Sequence, residues 1–121
     1  MKKILFVEDE QSLQKTFGDI LKKEEYKMIS ALDGELGLAL AKTSKPDLIF
    51  LDIILPKVQG LEVLKKLKEN PETAEIPVIM LTNLDNLENV EKALSLGAVA
   101  YFVKADYKVE ELIGKIKKIL G

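Results

Sequence analysis

Residues 48–52 read Leu48-Ile49-Phe50-Leu51-Asp52, a run of apolar side chains closed by a carboxylate. A strand with one wet face alternates apolar and polar residues. An unbroken apolar run is the pattern of a strand covered on both faces. Ile4–Val7, Val78–Leu81 and Ala100–Val103 read the same way, as buried strands, and Lys27–Ala31 is a weaker candidate. Between the runs, apolar residues recur at helical spacing. Leu13, Phe17, Ile20 and Leu21 share one face of a first helix; Leu36, Ala39 and Leu40 suggest a second. Leu61, Leu64 and Leu67 mark a third, Leu87, Val90, Ala93 and Leu94 a fourth, and Val109, Leu112, Ile113, Ile116 and Leu120 a fifth. Strand and helix thus alternate along the whole chain. That predicts an α/β fold with a doubly wound, five-stranded parallel sheet and right-handed crossovers. Asp33-Gly34, Lys45-Pro46-Asp47, Asn70-Pro71 and Leu96-Gly97 fall between segments as turn signals.

The 121 residues suit one domain, 1–121, that buries roughly two thirds of its unfolded surface. Eighteen cations, all lysine, face 20 carboxylates for a net charge of −2. This balance argues against a nucleic-acid binder, which is usually basic. No histidine and no cysteine occur, so imidazole bases, thiolate nucleophiles, disulfides and Cys-ligated zinc are excluded. Without arginine, bidentate guanidinium recognition of phosphate is excluded too. Chemistry must come from carboxylates, lysine, hydroxyls, backbone groups and a hard metal ion. The first apolar run is cut short by Glu8-Asp9-Glu10, too early for a signal peptide, and nothing reaches membrane-spanning length. The expected address is the cytoplasm.

Open α/β sheets form their sites at the carboxyl ends of the strands. Here the first strand is followed by Glu8, Asp9 and Glu10, the third ends in Asp52, the fourth in Thr82 and the fifth in Lys104. If the first and third strands are neighbours, Glu8, Asp9 and Asp52 meet in one cleft. Carboxylates so close need compensation. Lys104 and a divalent cation with oxygen ligands, Mg²⁺ foremost and Mn²⁺ as an alternative, are the natural remedies. A nucleotide site is disfavoured, because the first loop repels phosphate and no GxxxxGK[ST] or GxGxxG motif occurs. Glu10 reads as a solvated helix-start residue, and Tyr26 and Tyr107 as packing or surface aromatics.

The ordered set Val7-Glu8-Asp9-Glu10, Leu51-Asp52-Ile53-Ile54-Leu55-Pro56 with Gly60, Leu81-Thr82 and Tyr101-Phe102-Val103-Lys104 resembles the response-regulator receiver domain of two-component signalling. The resemblance covers essentially the whole chain. It implies a flavodoxin-like (βα)5 sheet of order 2-1-3-4-5. It implies that Asp52 is the phosphoacceptor and Asp9 a direct Mg²⁺ ligand. Glu8 would be an acidic partner acting mainly through water, and the Ile54 backbone carbonyl a further ligand. Lys104 would pair with a phosphoryl oxygen, Thr82 would be the hydroxyl drawn to the phosphate, and Tyr101 the aromatic that follows it. The phosphoryl donor would be a phosphohistidine on a sensor histidine kinase or phosphotransfer protein. The readout would be a switching surface of the fourth helix, fifth strand and fifth helix, which binds an output partner or forms a homodimer. Such a domain promotes only its own phosphorylation and dephosphorylation, and needs no nucleic-acid or membrane contact of its own.

Some positions depart from the family pattern. Ala105 stands where proline usually follows the lysine. A cis Lys104–Ala105 bond would cost about 3 kcal/mol, so a trans, differently shaped loop is expected. Asn83 stands where a very small residue is usual. Ile54 and Leu84 cannot hydrogen-bond a water attacking an acyl phosphate, which predicts slow self-dephosphorylation. The rival reading is a phosphorylation-independent interaction module on the same fold. A phosphatase with an aspartyl nucleophile is weaker, because Ile53 and Ile54 stand where its second acid would be. The chain stops after the fifth helix, as a stand-alone regulator or a fragment of a longer one would.

Overall fold

The computed structural model describes residues 1–121, the side chain of Asp85 excepted. Five strands, β1 (Lys3–Val7), β2 (Lys27–Ala31), β3 (Leu48–Asp52), β4 (Val78–Thr82) and β5 (Ala100–Val103), alternate with five helices. These are α1 (Gln11–Lys23), α2 (Gly34–Ser44), α3 (Gly60–Glu69), α4 (Glu88–Ser95) and α5 (Val109–Leu120). The strands pair in parallel in the order β2-β1-β3-β4-β5, the flavodoxin-like order expected. The chain leaves β1 outward to β2 and returns to β3 on its other side. The crevice for a site therefore opens between β1 and β3, past their carboxyl ends.

The unbroken apolar runs feed two cores, because successive side chains of a strand point to opposite faces. Leu5, Val7, Ile49, Leu51, Val78 and Met80 lie on one face with Val63, Leu64 and Leu67 of α3 and Val90 and Ala93 of α4. Ile4, Phe6, Leu48, Phe50, Ile79 and Leu81 lie on the other, under Phe17 and Leu21 of α1 and Leu112 and Ile116 of α5. On that second face Phe6 stacks on Phe17 at 4.3 Å between centroids, and Phe17 meets Phe50 edge-on at 5.6 Å. Such pairs contribute about 0.5–1.5 kcal/mol each beyond their burial. They fasten α1 over the end of the sheet where the acidic residues emerge.

Two expectations from the sequence need correction. The run Ala100–Val103 is not a buried strand: β5 is an edge, with Tyr101 exposed and its neighbours half-buried. Only one side of β5 has a strand to pair with, so an apolar run here does not mean full cover. The helix suggested by Leu36, Ala39 and Leu40 is there, but of these only Leu40, with Leu38, packs half-buried against the core. Gly34, Gly37 and Ala41 are buried, and Leu36 is exposed. A Cβ on Gly37 would lie 2.9 Å from a methyl of Val7, so the missing side chain lets α2 approach β1 closely.

Candidate functional site

The register of the sheet brings the acids together. Val7 is paired with Leu51, so Glu8 emerges beside Asp52, the last residue of β3. Asp52 in turn is paired with Leu81, and Thr82 with Val103. Lys104 follows Val103, its N–H donates to the Thr82 carbonyl at 2.8 Å, and its side chain reaches back across the end of β4. Glycine is required beneath the site. The Gly60 N–H donates to the Ile53 carbonyl at 2.8 Å, and a Cβ on Gly60 would lie 2.0 Å from the Asp52 carbonyl oxygen. The start of α3 thus presses directly on the backbone that carries Asp52.

Lys104 Nζ is the hub of the cleft. It lies 2.9 Å from Asp52 Oδ2, 2.9 Å from Glu8 Oε1 and 3.0 Å from Glu10 Oε1. Asp52 and Glu8 are buried, and Lys104 is nearly so. Asp52 Oδ1 accepts a weak hydrogen bond from the Ile54 N–H at 3.3 Å. The buried Glu8 Oε1 depends on the Lys104 ammonium for its neutralisation. Burial pushes the Glu8 carboxyl up to about 7; Asp52 adds to the rise, while the Glu10 N–H and Lys104 oppose it. For Lys104, burial opposes the charge, but Glu8, Asp52 and Glu10 outweigh it and hold the ammonium above its ordinary range.

Carboxylate oxygens of Glu8, Asp9 and Asp52 lie within 4.8 Å of one another. All three are hard oxygen donors, and the chain has no cysteine or histidine to compete, so the residues fit Mg²⁺. Asp9, Glu10, Asp52, Ile54, Asn83 and Lys104 are among the residues lining an open cleft of about 390 Å³.

The expected residues do not all converge. Asp9, Asp52, Ile54 and Lys104 line the cleft, and the buried Glu8 carboxylate lies within 4.8 Å of those of Asp9 and Asp52. Thr82 is buried beside it, with its hydroxyl donating to the Asn83 carbonyl at 2.9 Å. Tyr101 lies apart, exposed on β5 and lining a groove with α5. The Lys104–Ala105 peptide is trans, as all peptides in the chain are, and Lys104 still reaches Asp52. Glu10 is solvated at the start of α1 as expected, yet its carboxylate also reaches Lys104. Gln14 went unread. It is buried on α1, four residues after Glu10, and donates to the Phe6, Glu8 and Ala31 carbonyls. A polar residue in line with Phe17 and Leu21 was the signal that could have found it.

A parallel sheet with acids at the switch point, a lysine facing them and a metal-compatible donor set is the arrangement that the resemblance to a receiver domain implies. Residues 4–117 match the response regulator receiver domain family, and the chain belongs to that family. It is 37% identical over 120 residues to the response regulator ArlR of Staphylococcus aureus, covering 99% of this chain and 53% of ArlR. It is 49% identical over 65 residues to the alkaline phosphatase synthesis transcriptional regulatory protein PhoP of Bacillus subtilis, covering 54% of this chain and 27% of PhoP. The chain thus spans about half the length of ArlR. Among solved structures it resembles the receiver domain of the Pseudomonas aeruginosa sensor histidine kinase PA1611, which has a magnesium ion coordinated in its active-site cleft. That similarity has a TM-score of 0.89 at 25% identity, over 99% of this chain and 98% of that one. The cluster of Glu8, Asp9 and Asp52 is that of a receiver active site suited to Mg²⁺-assisted aspartate phosphorylation.

Proposed function

We propose that Asp52 accepts a phosphoryl group from the phosphohistidine of a sensor histidine kinase or phosphotransfer protein, and that the acyl phosphate switches an output surface. An Asp52 carboxylate oxygen attacks phosphorus; the P–N bond breaks, and its electron pair stays on the donor imidazole. Phosphoryl transfer asks mainly for alignment and neutralisation of charge. Asp9, Asp52 and the Ile54 carbonyl, with Glu8 mainly through water, would hold Mg²⁺ (or Mn²⁺), which would supply positive charge for phosphoryl transfer. Lys104 exchanges its contact with Asp52 for one with a phosphoryl oxygen, and so stays neutralised while the site gains negative charge. Thr82 is the nearest hydroxyl on the strand ends. Its bond to the Asn83 carbonyl is one that a phosphoryl oxygen can replace, since a stronger acceptor has been added beside it.

That exchange draws the loop after β4 inward and frees space for Tyr101. The surface so biased is the face of α4, β5 and α5. Leu94, Val99 and Tyr101 are exposed there beside a groove of about 580 Å³. This is the face for an output partner or for a second copy of the chain. No described helix is long and apolar enough to cross a membrane.

The observation that carries the reading is the 2.9 Å contact of Lys104 with Asp52 inside the acidic cleft. Incubation with Mg²⁺ and acetyl phosphate, followed by intact-mass measurement, tests it. One phosphoryl group is expected on the wild type and none on Asp52→Ala. An unreactive wild type, or an equally reactive Asp52→Ala, overturns the proposal.

A further inference from the structure

Gln14 stands on the first turn of α1, on the face that carries Phe17 and Leu21 into the core, and is 7% exposed. An apolar residue is the default at such a place. Its carboxamide nitrogen lies 3.0 Å from the Phe6 carbonyl oxygen, 3.0 Å from that of Glu8 and 3.1 Å from that of Ala31. These acceptors belong to β1, to the turn after β1 and to the end of β2. An amide NH₂ has only two hydrogens, so three acceptors share them. The Gln14 side-chain oxygen is buried without a donor among the described residues. The amide is thus held by its donor end alone; turned over, it would set oxygen against three carbonyl oxygens.

The same residue holds the turn a second time. Its backbone N–H donates to the Glu10 carbonyl at 3.1 Å. The Glu10 N–H donates to Glu8 Oε2 at 2.9 Å, and the Glu8 N–H to the Ala31 carbonyl at 3.0 Å. Glu8-Asp9-Glu10 is therefore fastened at its first and last residues, with Gln14 touching both. Asp9 lies between the two fastened points, so the backbone on either side sets where its carboxylate starts.

We propose that Gln14 is a positioning residue for the acidic turn. Its buried carboxamide clamps the carbonyls of Phe6, Glu8 and Ala31, so that the Glu8 and Asp9 carboxylates converge with Asp52. The inference rests on the reading of that turn as a Mg²⁺ site. Groups that orient metal ligands without touching the metal commonly carry much of a site's affinity. A side chain that merely filled the core would affect folding and leave Mg²⁺ binding alone.

The test compares wild type with Gln14→Met, which keeps the length and loses the donors, and Gln14→Asn, which withdraws the carboxamide by one methylene. Each is titrated with MgCl₂ and followed by NMR shifts of the Glu8–Glu10 amides, with thermal melting measured alongside. Both variants are expected to bind Mg²⁺ about tenfold more weakly than wild type and to react with acetyl phosphate at near wild-type rate once Mg²⁺ saturates. Faster hydrogen exchange at the Glu8 amide is expected with the loss. If Gln14→Met does not fold, Gln14→Asn carries the comparison. A folded variant that binds Mg²⁺ within about twofold of wild type overturns the role of Gln14. A wild type that takes up no Mg²⁺ overturns the site reading, and this inference with it.

Discussion

Lys104 Nζ sits 2.9 Å from Asp52 Oδ2, although the two residues are 52 positions apart in the chain. The lysine occupies the side of the carboxylate from which a phosphoryl oxygen must be neutralised. It also adds positive charge to a cleft that must take up a cation. These roles oppose each other, and a substitution separates them. Lys104→Met is expected to slow phosphorylation by acetyl phosphate by roughly 10²-fold, the usual loss for one oxyanion-stabilising group. The same variant should bind Mg²⁺ more tightly than wild type. Mass-resolved kinetics and a Mg²⁺ titration check the two directions; weaker Mg²⁺ binding would contradict the account.

Glu8 titrates at about 7 in the folded chain against an ordinary 4.5. Between those values the folded chain holds a proton that the unfolded chain has released. The metal-free protein should therefore lose stability from this group as pH rises from about 4.5 to about 7, and lose no more above that. Glu8→Gln removes the titration. In EDTA its melting temperature should gain on wild type by several degrees between about pH 5 and about pH 8. A gap of the same size at both pH values would show that Glu8 is not the group responsible.

Ile54 is 48% exposed and lines the cleft, while Leu84 is 63% exposed on the loop after β4. Neither can hydrogen-bond a water attacking the acyl phosphate. The phosphorylated chain is expected to be long-lived in Mg²⁺. Ile54→Asn with Leu84→Glu should shorten that life by about tenfold or more, by orienting the water. Loss of the phosphoryl mass with time measures it. A half-life of only seconds, unchanged in the double variant, would sink the idea.

Gly60→Ala would place a Cβ 2.0 Å from the Asp52 carbonyl oxygen. Backbone must move, at a cost of about 1–3 kcal/mol or more for overpacking. Because the moved atoms carry Asp52, Mg²⁺ affinity should fall together with the melting temperature. Gly114→Ala makes the contrast: nothing lies within 4 Å of its Cβ, on the exposed side of α5. It should stabilise the chain by about 0.5–1 kcal/mol through helix propensity and a less flexible unfolded state. Thermal melts of both variants decide; a destabilised Gly114→Ala would contradict the open space found there.

Unbroken apolar runs and helical spacings are enough to read the five strands and the five α-helices, because each signal lies in consecutive residues. The acidic cluster was legible for the same reason, since strand ends are where sites form in such sheets. Errors arose where a residue's role depends on a partner element. Leu36 fits a helix face, yet Gly34 and Gly37 set the contact of α2. Tyr101 lies in an apolar run, yet β5 is an edge and leaves it exposed.

From its sequence alone this chain declares a layered α/β sheet, the residue types available for chemistry and the strand ends at which they stand. Apolar period and strand-end chemistry are local properties, written in consecutive residues. Only the tertiary structure decided that Lys104 reaches three carboxylates at once. It also decided that Thr82 first bonds the Asn83 carbonyl, and that Gln14 gathers three carbonyls under the acidic turn. These are distances between elements far apart in the chain. Strand register and helix packing set them, and no spacing along the sequence encodes them.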